Sequence, residues 1–139
     1  MIHWPLGFKE GLEFFPQSGE VSYSSTDYVD TYKAMEECVK LGLAKSIGVS
    51  NFNSQQIERV LASCSIKPVV NQVECHPYLG QAKLQKFCED RGIFLTAYRP
   101  LGAPGSTSAK PTDPKLLEDQ KLQTLAKKYS KTPAQIVLR

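Results

Sequence analysis

Ile47-Gly48-Val49-Ser50-Asn51-Phe52-Asn53 is the stretch on which the fold turns, because it holds a strand end, a polar exit and a helix start in succession. Ile47 to Val49 is short and apolar, as a buried strand is. Asn53 is a helix N-cap residue and Gln56 stands three positions on, the spacing of a capping box. Ile57, Val60, Leu61 and Cys64 then recur at helical spacing and form one inward face, until Lys67-Pro68 breaks the helix. The same grammar repeats downstream. Val69-Val70-Asn71-Gln72-Val73-Glu74-Cys75 reads as a second strand, and Leu84, Phe87 and Cys88 as the apolar face of a helix that Gly92 stops in a left-handed conformation. Ile93 to Tyr98 is a third strand. Upstream, Tyr28, Tyr32, Met35 and Val39 make an i, i+4, i+7, i+11 stripe ending near Gly42.

The strands start at residues 47, 69 and 93, spacings of 22 and 24 residues, which is room for a strand plus a crossover helix. Strands joined that way are parallel, since antiparallel neighbours would be linked by hairpin turns and no hairpin motif is visible. The class is α/β. A doubly wound nucleotide fold and a (β/α)8 barrel both satisfy this pattern, but neither G-x-G-x-x-G nor G-x-x-x-x-G-K-[ST] occurs, which favours the barrel. Three strands plus Ile2-His3-Trp4, read as the end of another, amount to about the middle half of a parallel barrel. Thr132-Pro133 starts a further helix with Pro at its first position. The expected organisation is one partial barrel domain over 1–139: a strand end and loop over 1–25, three βα units over 26–102, a mobile lid over 103–119 and helices over 120–139.

The 139 residues are 41% hydrophobic and 22% charged, the composition of a globular domain. The N-terminus lacks the basic and apolar regions of a secretory signal, and no apolar run reaches the roughly 20 residues of a membrane span, so a cytoplasmic protein without membrane partners is expected. Cys38, Cys64, Cys75 and Cys88 form no C-x-x-C pair and read as reduced structural thiols. With His3 and His76 the sole histidines, no metal is expected. The net charge of +3 is mild, and its densest cluster, Lys127-Lys128 with Lys131, carries no interleaved aromatics, which argues against nucleic acid. No feature sets an oligomeric state.

Ligands of parallel α/β folds sit at the C-terminal strand ends. Ser50, Asn51 and Gln72 place a hydroxyl and two amides there, uncharged groups that both donate and accept, which suits a carboxamide. Tyr98 at the next strand end offers a flat aromatic face to a planar ring. Each residue alone has a plainer reading, as a turn, a cap or core; their joint placement is what points to nicotinamide.

The runs Ile2-His3-Trp4-Pro5, Ile47 through Asn53, Asn71-Gln72-Val73-Glu74-Cys75-His76-Pro77-Tyr78 and Ala97-Tyr98-Arg99-Pro100-Leu101-Gly102 closely resemble the aldo-keto reductases, in order and at that family's spacing. The segment from Gly7-Phe8-Lys9 to Glu13-Phe14-Phe15-Pro16 is similar to the family's first substrate loop. The resemblance implies a TIM barrel that reduces aldehydes and ketones with NADPH and without metal. It implies that Ser50, Asn51 and Gln72 hold the nicotinamide carboxamide and that Tyr98 stacks on the ring. Arg99, Leu101 and Gly102 would begin the loop over the pyrophosphate, with the Gly/Pro/Ser/Thr-rich run from Ala103 to Thr112 as a lid. His3 would match the histidine that orients the substrate carbonyl, and Trp4 and Phe15 would line an apolar pocket for small-molecule aldehydes, core packing being the competing reading for both. His76 is assigned to structure.

Three family residues have no counterpart here: the proton-donating tyrosine, its aspartate and its lysine, which the family carries on strands before the histidine strand. General acid catalysis contributes about 10² to 10⁴ in rate, so activity of this chain alone is expected to be severely reduced. Where the family usually has Ser, Arg99 follows Tyr98, and its guanidinium is expected either to pair with pyrophosphate or to point to solvent. Two readings follow, a portion or short form of a carbonyl reductase, or a noncatalytic product that keeps part of the nicotinamide pocket and acts as a binding or regulatory partner. Half a barrel would also expose strand edges, so association through those edges is expected.

Overall fold

In this computed structural model the described residues are 1–11, 19, 21–103, 110 and 112–139. The elements in chain order are α1 (Tyr28–Lys40), β1 (Val49–Ser50), α2 (Ser54–Ser63), β2 (Val70–Glu74), α3 (Ala82–Glu89), β3 (Phe94–Tyr98), a 3-10 turn (Leu116–Glu118), α4 (Gln120–Tyr129) and α5 (Pro133–Val137). The strands form one sheet in the order β1-β2-β3. β1 pairs with β2 in parallel, with Val49 opposite Asn71 and Ser50 opposite Gln72. The α/β alternation and the crossover helices read from the sequence are therefore present. Ile47 still holds a backbone bond, accepting from Val69 N–H at 2.9 Å, but lies ahead of the β1 ladder. Ile2 extends the pattern with a parallel bridge to Val49.

By contact density the chain divides into two units, one of Met1–Gln72 with Lys83–Leu95 and one of Val73–Ala82 with Thr96–Arg139. In the first, Tyr32 from α1, Ile57 and Val60 from α2, Val49 and Phe52 from β1 and its exit, Cys88 from α3 and Ile93 form the core. Tyr32, Val49, Ile57 and Val60 are completely buried. Each such side chain contributes about 1.5–3 kcal/mol by leaving water. The capping box expected at Asn53 is present: its side chain accepts from Gln56 N–H and the Gln56 side chain accepts from Asn53 N–H, both at 2.9 Å. Glu36 is the buried charge of this unit, and its Oε1 accepts from the N–H groups of Ser65 at 2.7 Å and Ile66 at 2.5 Å. Those bonds pin the chain leaving α2 to the flank of α1. The neighbouring Tyr32 hydroxyl has no partner among the described residues, and burial pushes its phenol up.

Gly48 is required by the close approach of the strands. A Cβ at that position would stand 2.5 Å from Cγ1 and 2.9 Å from the carbonyl oxygen of Val70, so any side chain would push β1 off β2. Gly92, at φ +65°, makes the left-handed stop after α3 that its sequence context implies.

The second unit rests on Leu116, Leu122 and Ala126, with α4 packed against α5 and the 3-10 turn. Asp119 caps α4 through Lys121 N–H, and Ser130 ends it at φ +49°. Thr132 starts α5 with a capping box to Gln135 in addition to the expected Pro133.

Two features depart from the all-parallel expectation. His76 and Leu79 bridge antiparallel across a tight turn, with Leu79 N–H donating to His76 C=O at 2.8 Å. Phe8 and Tyr23 also form an antiparallel bridge, with Lys9 N–H donating to Ser22 C=O and Ser24 N–H to Gly7 C=O. Their rings lie 5.8 Å apart. The two segments this bridge joins are separated by a long connection instead of a two-residue turn, so short-hairpin chemistry could not have signalled it.

Candidate functional site

At the C-terminal end of β1 the backbone leaves the sheet through Asn51, which takes the left-handed region at φ +62°. Asparagine tolerates that region better than most residues. The conformation is held from both sides: Asn51 N–H donates to Gln72 C=O at 2.9 Å, and Asn51 Nδ2 donates to His3 C=O at 2.8 Å. Ser50, almost completely buried, donates its hydroxyl proton to the same Gln72 carbonyl at 2.7 Å. Asn51 Nδ2 also reaches Ser50 Oγ at 3.3 Å. His3, Ser50, Asn51 and Gln72, singled out from different segments of the sequence, are thus brought together in one hydrogen-bonded cluster of the first unit.

The direction of these bonds fixes what the cluster can offer a ligand. Ser50 has one proton and has spent it on Gln72, so its remaining capacity is to accept. The Asn51 amide nitrogen is engaged by His3 and Ser50, which leaves its Oδ1 as the free group, again an acceptor. The Gln72 side chain makes no hydrogen bond among the described residues and keeps both a donor and an acceptor. Two acceptors beside one amide of either sense match a primary carboxamide, whose NH2 would face Ser50 and Asn51 and whose oxygen would face Gln72 Nε2. A carboxylate would meet two acceptors with no proton to give them.

Beneath this cluster lies a residue to which the sequence reading gave no role. Asn71, completely buried, donates from Nδ2 to Phe52 C=O at 2.9 Å and accepts at Oδ1 from Phe52 N–H at 3.5 Å. It clamps the backbone immediately after Asn51. Period-two alternation was the available signal, because Asn71 shares its face of β2 with buried Val73.

The ring of His3 is exposed and lies 6.1 Å from that of Trp4, tilted by 29°. Trp4 is itself 43% exposed. Close by, an open hollow of about 220 Å³ is lined by Leu6, Tyr23, Tyr28, Asp27 and Arg59 among others. Arg59 pairs with Asp27 and covers the Tyr28 ring at 4.9 Å. The Val29 N–H, then Arg59, hold the Asp27 carboxyl below its ordinary range. Phe15 and most of the run from Ala103 to Thr112 fall outside the described residues.

In the second unit Tyr98 ends β3 with its ring half-exposed, and its carbonyl accepts from Cys75 N–H at 3.2 Å. Arg99 follows at φ +52° and its guanidinium carbon stands 5.2 Å from the Tyr98 ring centre. The side chain thus folds back over its neighbour's ring. Gly102 N–H donates to Arg99 C=O at 2.9 Å, closing a turn that also holds Leu101. His76 Nε2 lies 3.3 Å from Glu74 Oε1, and its ring meets Tyr78 edge-on. The Tyr78 hydroxyl donates to Asp119 Oδ2 at 2.7 Å, which raises the phenol and lowers the carboxyl. Among the described residues no group of three or more His, Cys, Asp or Glu could hold a metal, and no helix is long and apolar enough to cross a membrane.

The Aldo/keto reductase family model matches residues 1–139. The chain belongs to the aldo/keto reductase family. It is 51% identical to aldo-keto reductase family 1 member A1 of Xenopus tropicalis, 52% to that of Gallus gallus and 46% to that of Homo sapiens. Each alignment runs over 141 residues and takes in 100% of this chain but only 43% of the relative. Aldo/keto reductases are oxidoreductases that generally use NAD(P)H. Within that family the cluster at the end of β1 is the feature of this chain best fitted to an amide-bearing cofactor.

Proposed function

We propose that this chain is the nicotinamide-gripping portion of a (β/α)8-barrel reductase that converts aldehydes and ketones to alcohols with NADPH. The observation that carries the reading is the donor and acceptor polarity at the end of β1. Ser50 Oγ and Asn51 Oδ1 would accept from the carboxamide NH2, and Gln72 Nε2 would donate to its oxygen. Tyr98, in the second unit, would offer a ring face to the nicotinamide, and Leu101 and Gly102 would begin the cover over its phosphates. The bound dinucleotide supplies hydride to the carbonyl carbon. His3 would orient the carbonyl oxygen through a ring N–H, with Trp4 as apolar wall, in keeping with its exposure beside His3.

The proton for the carbonyl oxygen is assigned to residues outside this chain. Tyr78 donates to Asp119 and holds its proton more tightly for it, while the Tyr32 phenol is buried and raised. Neither is placed as a general acid. The small-molecule carbonyl substrate follows from the same reading.

The experiment is a fluorescence titration of NADPH and of its nicotinic acid analogue, in which a carboxylate replaces the carboxamide. NADPH is expected to bind at least tenfold more tightly than the acid analogue, and Asn51→Ala to weaken NADPH by a similar factor. Equal affinity for amide and acid would overturn the polarity argument. A form of the chain extended at both ends should reduce aldehydes, the chain alone at least about 10²-fold more slowly.

A further inference from the structure

Successive residues of a strand point to opposite faces, so a residue following Tyr98 in extended backbone would direct its side chain away from the Tyr98 ring. Arg99 does not, because it sits at φ +52°, a region that costs an L-residue with a Cβ measurable strain. The turn closed by Gly102 N–H on Arg99 C=O holds that conformation, and its result is a guanidinium carbon 5.2 Å from the centre of the Tyr98 ring. Two further facts make the cation consequential. Arg99 forms no ion pair among the described residues, and it is only half-buried, so its charge is neither cancelled by a carboxylate nor removed from a ligand's reach. The ring it covers is 48% exposed and remains accessible to a second planar group.

A tyrosine ring attracts cations through the negative potential of its face. A ring already engaged by a guanidinium has that attraction partly satisfied, and the guanidinium adds a positive charge of its own nearby. The two oxidation states of nicotinamide differ in the charge of the ring: the oxidised ring is a pyridinium cation, the reduced dihydropyridine is neutral. We propose that Arg99, stacked on Tyr98, is a specificity-determining residue that disfavours the oxidised, positively charged nicotinamide relative to the reduced ring. The inference rests on the reading of Tyr98 as the ring platform. Its consequence for the reaction is directional, since the spent cofactor is the form that Arg99 repels.

The test is calorimetric titration of NADPH and NADP+ into the chain, its Arg99→Gln variant and its Arg99→Lys variant. Glutamine keeps a planar amide over the ring without charge, and lysine keeps charge without the planar fork. The ratio of the NADP+ to the NADPH dissociation constant is expected to fall about two- to tenfold in R99Q, mostly through tighter NADP+, and to stay within about twofold of the native ratio in R99K. In the native chain, which needs no variant, the same ratio is expected to narrow between 0.02 and 0.5 M salt on the order of threefold, because the repulsion is partly screened. An unchanged ratio in R99Q, or a native ratio indifferent to salt, overturns the role of Arg99 and leaves the ring-platform reading standing. Failure of the native chain to bind either form of the cofactor overturns both.

Discussion

Replacing Asn71 with leucine removes a side chain that is completely buried and fastens both backbone groups of Phe52, itself 1% exposed. Leucine keeps the branched outline of asparagine but is the larger side chain, so the change leaves no cavity and adds some crowding to the loss of the polar contacts. Phe52 C=O loses the 2.9 Å bond from Asn71 Nδ2, and Phe52 N–H loses the longer 3.5 Å contact to Oδ1. Leaving a buried backbone group without a partner costs about 1–3 kcal/mol. The short bond should dominate, and burying the leucine offsets part of the loss, so a net destabilisation of about 2–3 kcal/mol is expected. Urea unfolding followed by circular dichroism measures it, as a lower midpoint at unchanged slope. Amide hydrogen exchange gives the local readout: Asn51 N–H, bonded to Gln72 C=O, should lose protection together with Phe52, because the clamp and the strand exit are contiguous. If the midpoint and the protection at Asn51 and Phe52 both match the native chain, Asn71 does not support the site and the reasoning is wrong.

Other changes test separate links. Asn53→Ala deletes one arm of the capping box on α2 and strands the Gln56 N–H, with an expected loss of about 1 kcal/mol by the same unfolding measurement; a neutral substitution would show that the cap is not limiting. Gly48→Ala drives a Cβ to within 3 Å of the Val70 carbonyl oxygen, and should destabilise by about 1–3 kcal/mol; a variant as stable as the native chain would mean that β1 and β2 separate freely. Tyr78→Phe removes the hydrogen bond that does most to hold the Asp119 carboxyl low. Ionised Asp119 stabilises the fold above the unfolded carboxyl value near about 3.9, and that contribution vanishes as pH falls through its lowered native value. The Asp119 carbon-13 titration midpoint should therefore rise in Y78F, and an unmoved midpoint would show that the bond is absent in solution.

The α/β grammar was legible because α1, α2 and α3 each announce themselves twice, by an apolar stripe and by a terminal signal. Asn53 with Gln56, Gly92 and Thr132-Pro133 all behave as their local chemistry requires, since caps and stops depend on neighbours a few residues away. The polar exit of β1 was also readable, because Ser50 and Asn51 follow a short apolar run, whereas Gln72 lies inside β2 and not at its end. What could not be read depends on contacts across the chain or on backbone angles. Asn71 acquires its role only when Phe52 is folded against it, and Gly48 only when Val70 is the neighbouring strand. The antiparallel bridge of Phe8 with Tyr23 closes over a long connection, not a two-residue hairpin turn. The fold-back of Arg99 required a positive φ at an arginine, a residue whose identity suggests nothing of the kind.

Position 51 shows how narrow the set of acceptable residues becomes when backbone and chemistry make demands together. Its left-handed angle favours glycine, asparagine, aspartate and histidine, and other residues hold it only at a cost, as Arg99 and Ser130 do. Its bond to the carbonyl of His3 requires a side-chain donor, which glycine lacks and an ionised aspartate cannot supply. Asparagine meets both demands with a short side chain whose amide reaches that carbonyl. Most substitutions that satisfy one requirement are penalised by the other, so few replacements at residue 51 leave this arrangement intact.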